Sequence, residues 1–179
     1  LSRVLEIRVY PDEVLKKKAE EVKEFDKNLK ETVENMFETM YKRGGVGLAA
    51  NQVGILKRIV VIDIHSGKEL QGKERIVLVN PEIIALEGEE IKEEGCLSLP
   101  GLYRKVKRAL YAKVKAQNLE GEVFEIEGEG LLARAFQHEI DHLNGIVFID
   151  RLSPLSRRLA LEKYRKLRKK QERVGKVSV

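Results

Sequence analysis

Tryptophan is absent from this sequence, and 179 residues hold only one cysteine, two methionines, three histidines and four prolines. A lone cysteine cannot close an intramolecular disulfide, so nothing argues for an oxidising, secreted setting. No apolar run is long enough to cross a bilayer, and no signal-peptide pattern is present. Zinc-finger, RNA-recognition and helix-turn-helix patterns are missing, as are internal repeats and low-complexity tracts. The expectation is a chain with no membrane and no DNA partner, cytoplasmic and of bacterial type. It begins at Leu1 and not at methionine. A start made by processing, including removal of an organellar transit peptide, therefore stands beside that expectation.

The length suits one domain, residues 1–179, with a core that needs no staples. Charged residues make up 35%, against about 25% in typical domains. The net charge of +5 is unevenly placed. Residues 151–179 carry eleven Lys and Arg against two Glu, a net +9, and the preceding 150 residues carry a net −4. Ser153-Pro154 reads as an N-cap and helix-opening proline, launching a basic helix over about 154–171. A solvated face is the simplest reading of that helix. A docking surface for a polyanion such as RNA is the alternative.

Three short stretches carry chemistry. The first is Gln137-His138-Glu139-Ile140-Asp141-His142. Leu131, Leu132, Ala135, Phe136, Ile140 and Leu143 recur at spacings of three and four, which predicts a helix with one buried side. His138 and His142 then lie one turn apart on one face and can reach a single ion. Glu139 beside them can handle a proton on water. Taken alone, two satisfied helix histidines with a surface glutamate would give the same pattern. The third ligand is open at this point. No histidine follows His142, which excludes a three-histidine set. Asp150, Glu162 and Glu172 are the downstream carboxylates, as a zinc endopeptidase of the His-Glu-x-x-His type would need. Cys96, in Glu93-Glu94-Gly95-Cys96-Leu97-Ser98, is the better candidate, although by itself it is equally a small buried hydrophobe. The third stretch, Gly44 to Gly54, holds four glycines in eleven residues. A helix precedes it and no Gly-Lys-Ser/Thr closes it, so it is not a phosphate cradle. It reads as a loop lining an apolar or peptide-like ligand site, an ordinary glycine-rich connector being the alternative, with Gln52 as a neutral donor suited to an oxyanion.

Elsewhere, residues 4–9 suggest a short strand or extended arm, and Glu13 to Lys18 a short helix. Asp26 reads as the N-cap of an amphipathic helix with Leu29, Val33, Met36, Phe37, Met40 and Tyr41 on its apolar stripe. Strands are predicted at Arg58–Ile64, Arg75–Asn80, Glu82–Leu86, Glu89–Lys92 and Ile146–Ile149. Ala109–Gln117 and Glu122–Glu127 form a hairpin with Ala112, Val114 and Ala116 on the buried face. His65 reads as a surface histidine.

Together, Gly45-Val46-Gly47-Leu48-Ala49-Ala50-Asn51-Gln52, Glu94-Gly95-Cys96-Leu97-Ser98 and Gln137-His138-Glu139-Ile140-Asp141-His142 resemble the three motifs of the peptide deformylase family, in the family's order. Lys107 departs from the pattern, standing where many members have proline. The resemblance implies a metallohydrolase that removes the formyl group from the initiator methionine of N-formyl-methionyl peptides. It implies one divalent metal held by Cys96, His138 and His142, with Fe(II) expected and Zn(II), Ni(II) or Co(II) as alternatives. Glu139 would move the proton, and the Gln52 amide and Leu97 backbone N–H would stabilise the oxyanion. The substrate would lie along Gly45, Val46 and Gly47, pairing as a strand does, with Val46, Leu131 and the stem of Arg134 at the methionine pocket. Asp141 and Arg108 read equally as a pair that orients the site and as a surface ion pair. The basic C-terminal helix becomes a candidate ribosome contact. The elements predict an α+β fold of short, mainly antiparallel strands around a central metal-binding helix, with a C-terminal helix. The other classes kept open are the zinc endopeptidase and a non-catalytic RNA-binding module.

Overall fold

Buried faces decide how the chain folds. A computed structural model of the protein describes residues 2–177. In chain order the elements are α1 (Lys27–Arg43), β1 (Gly47–Ala49), β2 (Ile59–Ile62), β3 (Ile76–Glu87), β4 (Glu90–Gly95), β5 (Tyr103–Arg108), β6 (Tyr111–Gln117), β7 (Val123–Glu129), α2 (Leu131–Leu143) and α3 (Pro154–Val177). Strands β1-β2-β3-β6-β7 form one sheet and β4-β5 a separate ribbon, antiparallel throughout. The architecture is α+β.

Strand β2 shows why the sheet lies between helices. All four of its residues are buried. Val60 and Ile62 pack with Phe136, Ile140 and Leu143 of α2. Ile59 and Val61 pack with Val33, Met36, Phe37 and Met40 of α1. Alternation along a strand thus feeds two cores at once, each fully buried large side chain contributing roughly 1.5–3 kcal/mol. Asp26 caps α1 by accepting from Leu29 N at 3.0 Å, worth about 1 kcal/mol. Gly44 ends the helix in the left-handed region, φ 73°. A third cluster, including Leu99, Leu102, Val106, Phe148 and Tyr164, seats α3 against the turn after Cys96.

Several elements differ from the sequence reading. Residues 44–54 are not simply a connector, because Gly47–Ala49 pairs with β2 and Ala50–Val53 forms a 3-10 turn. Residues 47–53 are all buried. The two strands expected on either side of Pro81 are one strand, β3. A register shift between Val79 and Glu82, with Asn80 at φ 51°, absorbs the proline as a bulge. The expected strand at Ile146–Ile149 is instead an approach to a 3-10 turn, Phe148–Arg151. There Asp150 Oδ2 accepts from Val147 N at 3.0 Å, and a side chain that bonds its own local backbone competes with strand pairing. Strand β5 was hidden by its charge, since only Val106 is a buried apolar residue in it. Lys107 sits inside β5, opposite Ile91 and 3.4 Å from Glu89, so no turn occurs there. Helix α3 continues to Val177, past the expected end. The N-terminal residues form an extended arm, with Arg8 N donating to Gln52 O at 2.7 Å and Tyr10 N to Ser98 O at 2.8 Å. The His65 imidazole lies 3.1 Å from Glu74 of the same loop.

Asp63 closes the loop between β2 and β3. Its carboxylate accepts from Tyr41 Oη at 2.6 Å, Gly72 N at 2.9 Å and His65 N at 2.9 Å. Burial opposes its charge, but these donors hold the carboxyl below its ordinary value of 3.8. Asp63→Asn is expected to lose about 1–3 kcal/mol at pH 7. With the folded value lowered, this contribution is fully present above 3.8 and disappears as pH falls through the folded value. Denaturation midpoints of parent and variant should therefore converge in acid.

Candidate metal centre

Helix α2 is buried from Ala133 through Leu143. Gln137 fixes it to the chain before β6, accepting from Ala109 N and donating to Ala109 O, each at 2.9 Å. On the face turned to the β4-β5 ribbon, His138 and His142 bring their Nε2 atoms to 3.3 Å. Cys96, one residue beyond β4, places Sγ 3.3 Å from His142 Nε2. All three donor atoms lie within 4.8 Å of one another. Tetrahedral bonds of about 2.0–2.3 Å put neighbouring donors about 3.3–3.8 Å apart, so the spacing fits one ion. The downstream carboxylates stand elsewhere. Asp150 is engaged by Val147 N and Arg157, and Glu162 and Glu172 are exposed on α3.

A buried carboxylate sets the orientation of the first imidazole. Glu94 Oε2 lies 2.6 Å from His138 Nδ1, which leaves Nε2 directed at the thiol. Arg108 grips the same carboxylate through Nε at 3.1 Å and Nη2 at 2.7 Å. Arg134 adds Nη1 at 2.9 Å. Burial works against ionising Glu94, yet His138 and Arg108 hold its carboxyl well below the usual range. Arg108 Nη1 also reaches Asp141 at 2.7 Å, and Arg151 reaches Asp141 from the other side. The Asp141–Arg108 pair is thus internal, joining α2 to β5, and is not a surface ion pair. His138 is buried, which disfavours a charged ring, but Glu139, Cys96 and Glu94 push its imidazole well above the ordinary range. Ionised Glu94 behind the ring helps make this a place that attracts a cation.

Glu139 lies beneath the glycine stretch. A Cβ on Gly47 would stand 2.6 Å from Glu139 Oε2, so any side chain there would displace the carboxylate. Glu139 Oε1 is buried without a protein partner among the described residues. Burial pushes this carboxyl up to about 7, against the pull of His138 and Arg108. Gln52 is oriented by Ala49 N, which donates to its Oε1 at 3.0 Å. Its Nε2 therefore points toward Ser98 Oγ, at 3.1 Å, and Cys96 Sγ, at 3.5 Å. The turn after Cys96 is closed by Leu99 N and Leu102 N, so the Leu97 N–H takes no part in it.

These groups floor a cavity of about 670 Å³, a size that takes a short peptide. Gly45, Val46, Gly47 and Leu97 line one side, and Leu131 and Arg134 another. Leu131 is 48% exposed at the rim. Arg134, expected at the cavity through its stem alone, is among its lining residues. Its stem faces the cavity, but its guanidinium turns away to Glu94, Val106 O and Glu90 O, each at 2.9 Å. The sequence reading gave Glu94 and Arg151 no role. Arg151 offered no signal of one.

An α+β scaffold whose cavity reaches a thiol, an imidazole and a carboxylate, with a second imidazole buried just behind, defines a metal-dependent hydrolase. The sequence model of the polypeptide deformylase family matches residues 4–158, and the chain belongs to that family. A peptide deformylase of Acidobacterium capsulatum is 56% identical over 160 residues, covering 89% of this chain and 93% of the relative. One of Thermodesulfovibrio yellowstonii is 54% identical, covering 90% and 97%. The crystal structure of a peptide deformylase from Legionella pneumophila superimposes with a TM-score of 0.88 at 50% identity, covering 95% and 98%.

Breaking the internal ion network by Arg108→Ala leaves Glu94 and Asp141 short of a cation. The expected cost is about 3–5 kcal/mol. A lowered urea midpoint at unchanged slope would register it.

Proposed function

We propose that this chain hydrolyses the N-formyl group of formyl-methionyl peptides as they are made, releasing formate and a free amine. The observation that carries the reading is the donor triangle of Cys96, His138 and His142 beside the unpartnered Glu139 Oε1 at the cavity floor. Family membership supports it over endopeptidase action, for which no downstream carboxylate is in place. The metal, when bound, supplies Lewis acidity, polarising the formyl carbonyl and lowering the pKa of water. Fe(II) is the ion we assign, on the family resemblance. A thiolate with two imidazoles also accommodates Zn(II), Ni(II) and Co(II).

The chain's own residues do the rest. Glu139 takes a proton from the attacking water and passes it to the amine nitrogen as the carbon–nitrogen bond breaks. Gln52 Nε2 and the Leu97 N–H donate to the oxygen that gains charge. Gly45 and Val46 lead into β1, the outer strand of the sheet, which begins at Gly47, and an extended peptide can add there as a further strand. Val46, Leu131 and the stem of Arg134 then receive the methionine side chain. We place the protein in the cytoplasm. We assign α3 a docking role on ribosomal RNA, supported by the net +9 of residues 151–179 and by exposed Arg158, Lys163, Arg165, Lys166 and Lys170.

Two variants test the roles through formate release from a formyl-Met tripeptide. Gln52→Ala removes one donor worth about 2.7–4 kcal/mol, so turnover should fall roughly 100- to 1,000-fold. Activity within tenfold of the parent would contradict that role. Glu139→Ala should retain metal and lose nearly all turnover. A fully active variant would overturn the proton path.

A further inference from the structure

The three metal donors come from two bodies that share no backbone pairing. His138 and His142 ride on α2, while Cys96 follows directly from β4, whose ribbon pairs only with itself. Something must set the distance between ribbon and helix, or the sulfur will not meet the imidazoles at one point. Arg134 stands one helical turn before His138, on the same face. Its Nη2 donates to Glu90 O on β4, and its Nη1 to Val106 O on β5, each at 2.9 Å. Those contacts are to main chain, so they locate strands and not merely a side chain. Nη1 also meets Glu94, the residue that orients His138. Arg108 already grips Glu94 with two bonds, so Arg134 is not needed merely to balance that charge.

We propose that Arg134 is a positioning residue that holds the β4-β5 ribbon against α2, so that Cys96, His138 and His142 converge on one ion. This rests on the metal-site reading above. The role depends on a planar fork that can reach two strands and a carboxylate together, which a lysine cannot do.

The test is titration of metal-free protein with Co(II), read by the thiolate-to-cobalt absorption band. Arg134→Met keeps an unbranched apolar stem along the cavity and removes the fork. Its dissociation constant should rise roughly 10- to 100-fold, with a weakened thiolate band. A lowered melting temperature with parent-like affinity and band would show a merely structural residue and overturn the proposal. Should Arg134→Met fail to fold by circular dichroism, Arg134→Lys decides. Weaker cobalt binding by the folded lysine variant supports the role, and parent-like binding overturns it. A parent protein that binds no Co(II) would remove the metal-site reading itself, an outcome distinct from equal binding by parent and variant.

Discussion

Glu94 is one carboxylate with three cationic or imidazole partners, and the site depends on it. His138, Arg108 and Arg134 all meet its two oxygens within 3.1 Å, and the residue is buried. A buried carboxylate so surrounded stays ionised, and an ionised Glu94 keeps the His138 Nδ1 proton in place and Nε2 free for an ion. Charge carried inward must be compensated inward, which explains why Arg108, Asp141 and Arg151 continue the chain of pairs out to the surface.

The surrounding fold serves to bring this carboxylate to the helix. Sheet and α1 form an apolar body that α2 enters almost completely. The ribbon that bears Glu94 and Cys96 is attached to that body differently. Val106, Leu99 and Leu102 pack under α3, and arginines bridge to α2. The glycine stretch then passes close over Glu139, where only the absence of a side chain at Gly47 leaves room. Glu139, the Gln52 amide and the donor atoms of Cys96, His138 and His142 thus meet from three separate segments of chain.

Much of the site was legible because its chemistry is local in sequence. His138 and His142 need only helical spacing, and that spacing is visible in the apolar positions around them. Asp26 and the stripe on α1 were legible for the same reason. What escaped was set by long-range contacts. The guanidinium of Arg134 could not be placed from its own helix, since its acceptors lie on β4 and β5. Strand β5 could not be seen because Arg104, Lys105, Lys107 and Arg108 mask the single buried valine. The joined strand at Pro81 depends on a bulge that only pairing with β6 reveals. Asp150 turned an apolar run into a 3-10 turn through one bond to its own backbone.

We propose that this cavity, with a metal held by Cys96, His138 and His142, cleaves a formamide bond. The most direct measurement is formate release from a formyl-Met tripeptide by ferrous-loaded protein kept free of oxygen. A nickel-reloaded sample controls for iron oxidation. Formate is expected from both, abolished by a chelator. No formate from either sample while the metal stays bound would contradict the proposal.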